Sequence, residues 1–184
     1  MKTTDYSPLP INALVFDMDG TLVHLHVDWT EVRKEVQALL DMNIDSLWKL
    51  AVPPYKEKYL ANKEKVDAIF RKYEINADYT PIEEMVQLAK DSPLPINILS
   101  NNTEAALKRL AKELGLKPSL IIGRDSVPLP KPHPDGLLII KQRFSHPLFI
   151  GDHPYDMIPA VKTNTAFLSV NLKPENIRRF LLGL

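Results

Sequence analysis

Apolar and polar positions follow two different patterns along this chain of 184 residues. Five short apolar runs have the length and residue types of buried strands, and helical patterns separate them from the second run onward. The runs cover residues 13–16, 96–99, 120–122, 148–150 and 166–170. Strands that alternate with helices predict an α/β fold in which helices cover a parallel sheet.

Two helices of this core can be placed from the pattern. Residues 103–114 carry Leu107, Leu110 and Leu114 on one face, and Gly115 follows at a position typical of a helix end. A final helix is predicted for residues 174–182. The first of these helices lies between two predicted strands, so it would cover the sheet.

Residues 24–79 show helical patterns only. Asp28 and Glu31 resemble a capping box at the start of a helix, and a short helical piece at residues 44–50 would stop at the prolines that follow it. The first helix would bury Trp29, Val32, Val36 and Leu39. A longer helix would then place Tyr55, Tyr59, Val66, Ile69, Phe70 and Tyr73 on a packed face.

A further helix start is predicted where the chain returns to the core. Thr80 would cap this helix, Pro81 would lie in its first turn, and Glu83 would follow as an acidic residue. The predicted domains are therefore a core of residues 1–23 and 80–184, and an all-helical insert of residues 24–79. An insert of this kind suits a lid that closes over a ligand and expels water.

Composition narrows the function classes. The 23 basic and 23 acidic residues balance, so no global charge attracts nucleic acid or an anionic membrane. The absence of cysteine excludes disulfides and thiolate chemistry, and the five histidines lack the spacing of a zinc site. No apolar segment approaches the length of a membrane span or a signal core, so we expect a cytoplasmic protein. We also expect a monomer or a homodimer.

The sequence Asp17-Met18-Asp19-Gly20-Thr21 follows the first apolar run directly. An aspartate can attack a phosphoryl group only when a cation neutralises the charge, and Mg²⁺ prefers such oxygen ligands. Asp17 could then be ligand and nucleophile, Asp19 could be the general acid and base, and Gly20 could let backbone amides approach the phosphate. The alternative is a plain Asp-Gly turn after a strand.

Three later segments carry matching chemistry. Ser100 and Asn101 follow the second run and could hold phosphate oxygens, although Asn102 or Thr103 could simply cap a helix. Lys131 lies among alternating prolines that fix its ammonium, although it could be a solvated surface lysine. The third segment follows the fourth run and contains two carboxylates: Asp152 could complete a metal site, and Asp156 could cap a helix, orient the lysine or bind metal through water.

Together these four ordered segments resemble the motifs of the haloacid dehalogenase-like hydrolase superfamily, most closely its phosphoglycolate phosphatase and β-phosphoglucomutase branch. The resemblance implies a Rossmann-like core with a small helical cap. For the active site it implies a nucleophile at Asp17, an acid/base at Asp19, and phosphate binding by Gly20, Thr21, Ser100, Asn101 and Lys131. It also implies Mg²⁺ at Asp17, the Asp19 carbonyl and Asp152, with Asp156 beside them.

The implied function is a Mg²⁺-dependent phosphomonoester hydrolase that acts on a small phosphorylated metabolite. Dehalogenases of the superfamily lack the second aspartate, so Asp19 favours phosphate chemistry. A phosphomutase and a catalytically silent protein that binds a phosphorylated ligand are the alternatives. Asn164 stands where many relatives have glycine, in the turn after the helix that follows the fourth motif. Specificity would come from the insert, where His24, His26, Arg33, Lys56 and Lys63 are all candidates.

Overall fold

The computed structural model describes residues 11–170. Its strands are β1 (Ala13–Phe16), β2 (Val23–Leu25), β3 (Tyr79–Pro81), β4 (Ile96–Leu99), β5 (Leu120–Ile122), β6 (Pro147–Gly151) and β7 (Ala166–Ser169). Its α-helices are α1 (Trp29–Leu40), α2 (Lys56–Ala61), α3 (Lys63–Glu74), α4 (Glu83–Asp91), α5 (Glu104–Glu113), α6 (Asp135–Arg143) and α7 (Pro154–Lys162). Short 3₁₀ turns lie at Leu47–Lys49 and Arg124–Ser126.

Five of these strands form one parallel sheet in the order β5-β4-β1-β6-β7. All five predicted strands are therefore confirmed. The central strand β1 aligns Leu14 with Ile96 on one side and with Leu148 on the other. Apolar clusters cover both faces of the sheet, as a parallel sheet with helical crossovers requires.

The predicted core helix is α5, which begins after Thr103 and buries Leu107 and Leu110 completely. Gly115 follows it with a φ of +70°, the left-handed conformation that glycine adopts easily. The helix predicted at residues 174–182 lies outside the described residues. Within residues 11–170, no helix combines the length and hydropathy that crossing a membrane requires.

The segment between β2 and β3, residues 26–78, is helical and is called the insert below. Asp28 begins α1, and its carboxylate accepts hydrogen bonds from the amides of Thr30 and Glu31 at 3.0 and 3.1 Å. The insert also buries a hydrophobic cluster of its own. The insert predicted at residues 24–79 also includes parts of β2 and β3, and the residues between these two strands carry helices only.

Two details of the insert differ from the prediction. Leu40 joins the fully buried face of α1, because Val32, Val36 and Leu40 repeat at a strict spacing of four, and Leu39 packs against the same cluster while only partly buried. The predicted long helix is two helices, α2 and α3, because Asn62 leaves the helical conformation and donates its side-chain amide to the Lys58 carbonyl.

The return to the core also differs. Thr80 and Pro81 do not open a helix but belong to β3, which pairs antiparallel with β2. Ile82 continues this pairing, since its amide donates to the Leu22 carbonyl at 2.9 Å, and α4 begins only at Glu83. The predicted domain boundaries fall within this two-stranded ribbon.

Candidate active site

The sheet topology brings the predicted site residues together. Asp17, Ser100 and Asp152 directly follow β1, β4 and β6, which are neighbours in the sheet. The carboxyl ends of parallel strands share one edge of the sheet, so the three side chains meet at that edge. The amide of Asp17 still donates to the Ile150 carbonyl at 2.9 Å, which fixes the start of its loop against β6.

Lys131 is fully buried between two carboxylates. Its Nζ lies 2.9 Å from Asp17 Oδ1 and also donates to Asp156 Oδ1. Burial lowers the pKa of Lys131, but Asp156 and Asp17 outweigh that effect and leave the pKa above its ordinary value. The interpretation of Lys131 as a solvated surface lysine is therefore wrong, and a fixed positive charge lies beside Asp17.

Asp156 holds this ammonium in place from the first turn of α7. Its second oxygen accepts a hydrogen bond from the His153 amide at 3.1 Å, so Asp156 also supports the start of the helix. A Cβ atom on Gly151 would lie 2.5 Å from Asp156 Oδ2, which explains the glycine there. Both carboxylate oxygens have protein donors, and this arrangement supports the orienting role considered for Asp156.

Carboxylate oxygens of Asp17, Asp152 and Asp156 lie within 4.8 Å of one another. Burial raises the pKa of Asp17, against the charge of Lys131, and burial followed by the charge of Asp17 raises the pKa of Asp152. A set of hard oxygen donors whose charges disfavour one another fits a divalent cation such as Mg²⁺. The residues that would hold the ion are Asp17 and Asp152, with Asp156 beside them.

Gly20 and Thr21 shape the loop and do not offer free phosphate donors. The Gly20 amide donates to the Val23 carbonyl at 2.7 Å, and the Thr21 amide donates to the Met18 carbonyl at 3.3 Å. The Thr21 hydroxyl donates to Asp152 Oδ1 at 3.4 Å. Gly20 has a φ of +84°, and a Cβ there would lie 2.4 Å from Asp152 Oδ2. Both residues seat Asp152, and the phosphate contacts predicted for Gly20 and Thr21 stay a prediction.

The loop after β4 lies against the other side of Asp17. Ser100 is buried and close enough to Asp17 to lower the pKa of that carboxyl, although burial, which raises the pKa, dominates. Asn101 donates its side-chain amide to the Lys131 carbonyl at 2.9 Å and so ties this loop to the lysine loop. Ser100 and Lys131 thus lie beside the carboxylate of Asp17, and Asn101 joins their two loops.

Asp19 lies at the mouth of the site, where its Oδ1 accepts a hydrogen bond from the Leu25 amide at 2.9 Å. Burial raises the pKa of Asp19 to about 6, against the Leu25 hydrogen bond, which lowers it. A carboxyl group with such a pKa can give and take protons near neutral pH. The arrangement therefore suits Asp19 to general acid and base chemistry.

This raised pKa predicts how the stability of the metal-free protein depends on pH. The pKa of Asp19 is about 6 in the folded protein and about 3.9 in the unfolded chain. The contribution of Asp19 to stability is therefore fully present below about pH 3.9 and is lost as the pH rises through about 6. Between about pH 4.5 and 7.5, wild type should therefore lose about 2 kcal/mol more unfolding free energy than Asp19→Asn. Urea denaturation with chelator measures this difference, and equal losses would contradict the assigned pKa.

A cavity of about 230 Å³ opens between the core and the insert, beside Asp19 and Asn101. Its walls include Trp29, Arg33, Leu47, Trp48, Phe70 and Arg124. Of the specificity candidates named from the sequence, only Arg33 lines it. Lys63 instead pairs with Asp67 at 2.5 Å, and His26 lies at the ribbon, where its ring contacts the Thr80 hydroxyl.

Sequence reasoning missed the contacts that join the insert to the core. Trp48 stacks on His153 with ring centroids 4.9 Å apart, and the Arg124 guanidinium lies 3.4 Å from the centre of the Phe70 ring. Arg124 also pairs with Asp67 at 2.8 Å, and both side chains are buried. The weak signal available was that charged residues lie on the otherwise apolar face of α3.

Sequence comparison identifies the class of protein. The haloacid dehalogenase-like hydrolase family matches residues 11–162. The chain belongs to this family and is a hydrolase, as the resemblance implied. A curated relative, Probable phosphatase IndB from Dickeya dadantii, is 24% identical over 85% of this chain and 80% of its own length.

Solved structures show the same fold. A candidate phosphoglycolate phosphatase from Lactobacillus plantarum matches 94% of this chain and 100% of its own, with a TM-score of 0.62 and 19% identity. L-2-haloacid dehalogenase from Xanthobacter autotrophicus matches 95% of this chain and 83% of its own, with a TM-score of 0.58 and 21% identity. At these identities the likeness concerns the fold.

Proposed function

We propose that this hydrolase is a Mg²⁺-dependent phosphomonoesterase that acts on a small phosphorylated metabolite through an aspartyl-phosphate at Asp17. The observation that carries the proposal is the pairing of buried Asp17 with Lys131 at 2.9 Å, within a cluster of carboxylate oxygens. A fixed cation beside a nucleophilic carboxylate can accept an incoming dianion. The printed name of the Dickeya relative, a phosphatase, agrees with this activity.

In the proposed hydrolysis, Asp17 is the nucleophile and Asp19 is the general acid and base. A carboxylate oxygen of Asp17 forms a bond to phosphorus while the bond from phosphorus to the leaving oxygen breaks, and Asp19 protonates that oxygen. Asp19 then takes a proton from water as the water oxygen attacks phosphorus, which releases phosphate and restores Asp17. Lys131 holds phosphoryl oxygens, and the Ser100 hydroxyl, which donates to Asn102 when no phosphate is bound, can turn to donate to one of them. Bound Mg²⁺ would supply the charge neutralisation that lets two anions meet.

The cavity above Asp19 points to the class of leaving group. Trp29, Trp48 and Phe70 offer flat apolar surface, which favours a ring or another apolar body. Arg33 adds a guanidinium that forms no ion pair among residues 11–170, since its NH1 donates only to the Asp45 carbonyl at 3.3 Å. We therefore expect a leaving group that combines an apolar body with an anionic substituent.

Phosphate release from phenyl phosphate and carboxyphenyl phosphate tests both parts of this function. Turnover should require Mg²⁺ and disappear with chelator, and the carboxylated substrate should have the lower KM. Arg33→Met should raise KM for the carboxylated substrate about tenfold to a hundredfold, the effect of one charge-assisted hydrogen bond, and leave phenyl phosphate unchanged.

Lys34→Met is the matched control, because Lys34 is the next residue of α1 and is exposed in a pair with Glu31. It should change neither KM. Turnover that persists in chelator would contradict the metal requirement. An equal effect of Arg33→Met on both substrates would contradict the anionic leaving group while leaving the phosphatase assignment intact.

A further inference from the structure

Glu74 is a buried carboxylate that the reaction does not use. It is the last residue of α3 in the insert, and its relative exposure is 0%. Its Oε1 accepts a hydrogen bond from Asn102 Nδ2 at 3.0 Å. Its Oε2 accepts from the Thr103 amide and the Thr103 hydroxyl, both at 2.7 Å. The insert thus reaches the loop that follows β4 through one carboxylate.

These contacts fix the direction of the Asn102 amide. Burial raises the pKa of Glu74, but the two donors of Thr103 and the Asn102 amide lower it and favour the ionised form. An ionised carboxylate can only accept hydrogen bonds, so Asn102 turns its NH₂ group toward Glu74. The Asn102 oxygen then faces Ser100, whose hydroxyl donates to it at 2.8 Å. Ser100 has a single hydroxyl hydrogen, and its other acceptors are Asp17 and an arriving phosphoryl group.

We propose that Glu74 is a positioning residue, which sets the direction of the Ser100 hydroxyl hydrogen through Asn102. While Glu74 holds the Asn102 amide in this direction, the Ser100 hydrogen is donated to the Asn102 oxygen and not to Asp17 or phosphate. Asp17 therefore keeps its lone pairs available for attack, and product phosphate competes with Asn102 for the hydrogen. This role rests on the proposed function, because it concerns the same nucleophile and phosphate.

Glu74→Gln isolates this effect because the new side chain has nearly the same shape. The amide oxygen of the introduced glutamine can accept both hydrogen bonds from Thr103, and its NH₂ group then faces Asn102. Asn102 must turn over to present its oxygen, and its own NH₂ group then points at the Ser100 oxygen. The Ser100 hydrogen is left with Asp17 or phosphate as its acceptors.

The expected result is a split between binding and turnover. In Glu74→Gln, inorganic phosphate should bind about threefold to tenfold more tightly in Mg²⁺, and kcat for phenyl phosphate should fall by a similar factor, each the size of one net hydrogen bond. A purely structural loss would weaken both binding and turnover. Calorimetry with inorganic phosphate provides the binding arm without any turnover.

A double variant should reverse the split. In Glu74→Gln with Asn102→Asp, the introduced carboxylate accepts from the new glutamine on one side and from the Ser100 hydroxyl on the other. The original direction of the hydrogen bonds is restored, and the total charge equals that of wild type. Phosphate affinity and kcat should both return to within about twofold of wild type.

Asp125→Asn is the matched control at the same helix end. Asp125 accepts a hydrogen bond from the Glu104 amide at 2.8 Å and pairs with Arg71, but it has no hydrogen bond to Asn102 or Ser100. Both single variants replace a carboxylate that accepts a backbone hydrogen bond near the start of α5 by an amide of nearly the same shape. Only Glu74→Gln should separate phosphate affinity from kcat.

The direction of the Asn102 amide can be read by NMR without any assay. Its side-chain NH₂ hydrogens should show contacts to the side chain of residue 74 in wild type and to the Ser100 β hydrogens in Glu74→Gln. An unchanged pattern, or parallel losses that the double variant does not reverse, would overturn the proposal. A wild-type protein without turnover would instead refute the phosphatase assignment, and the NMR result would still decide the role of Glu74.

Discussion

Asp17→Asn should reduce Mg²⁺-dependent phosphate release by at least about 10⁴-fold, a loss typical of removing a nucleophile. An amide oxygen is a poor nucleophile, and the variant also loses one of the anionic oxygens that would hold the cation. The measurement is kcat/KM for phenyl phosphate, with protein concentrations high enough to detect the residual rate.

The variant should remain folded, so that the loss can be assigned to chemistry. Lys131 keeps its partner Asp156, and burial already disfavours the charged form of Asp17. We therefore expect a melting temperature at or above that of wild type in chelator. Asp91→Asn at the end of α4 is the control for the amide substitution and should retain full activity. Retained turnover in Asp17→Asn would refute the nucleophile assignment.

Lys131→Met should lower the unfolding free energy by about 3 kcal/mol at neutral pH, because it leaves two buried carboxylates without their cation. It should also reduce kcat/KM about 10²-fold or more through the loss of a charge fixed beside the phosphoryl group. Urea denaturation in chelator and the phenyl phosphate assay measure the two effects.

Acidic pH should relieve much of this destabilisation. Without Lys131, the folded-state pKa of Asp17 rises further above its unfolded value, so the variant favours the protonated carboxyl group. A group of this kind stabilises the fold at low pH and loses that contribution as pH rises through its folded pKa. The gap to wild type should therefore be smaller at pH 5 than at pH 8. An equal gap, or a similar loss in the exposed control Lys117→Met, would contradict this account.

The position of the site could be predicted because its residues come directly after the carboxyl ends of predicted strands. Asp17, Ser100 and Asp152 each come directly after an apolar run, and a parallel sheet places all such positions on one edge. Placing these residues on one edge of the sheet required neither the order of the strands nor the side-chain contacts. The fold class, and the placing of these three polar residues at one edge of the sheet, could therefore be predicted from apolar runs and the polar residues that follow them.

The connections between the insert and the core could not be predicted in this way. Glu74 and Asn102 are 28 residues apart, and Trp48 and His153 lie in different parts of the chain. Their pairing depends on how the two units pack, and periodicity contains no information about it. Thr80 and Pro81 show the related limit, because a residue pattern that often begins a helix serves as a strand when β2 offers a partner.

The central claim is that Asp17 becomes phosphorylated during turnover. Acid quenching during steady-state turnover of phenyl phosphate, followed by borohydride reduction, converts an acyl phosphate into an alcohol that peptide mass spectrometry can locate. We expect homoserine at position 17, dependent on both Mg²⁺ and substrate, and absent from Asp17→Asn. Full turnover without modification of Asp17, or reduction at a different carboxylate, would contradict it.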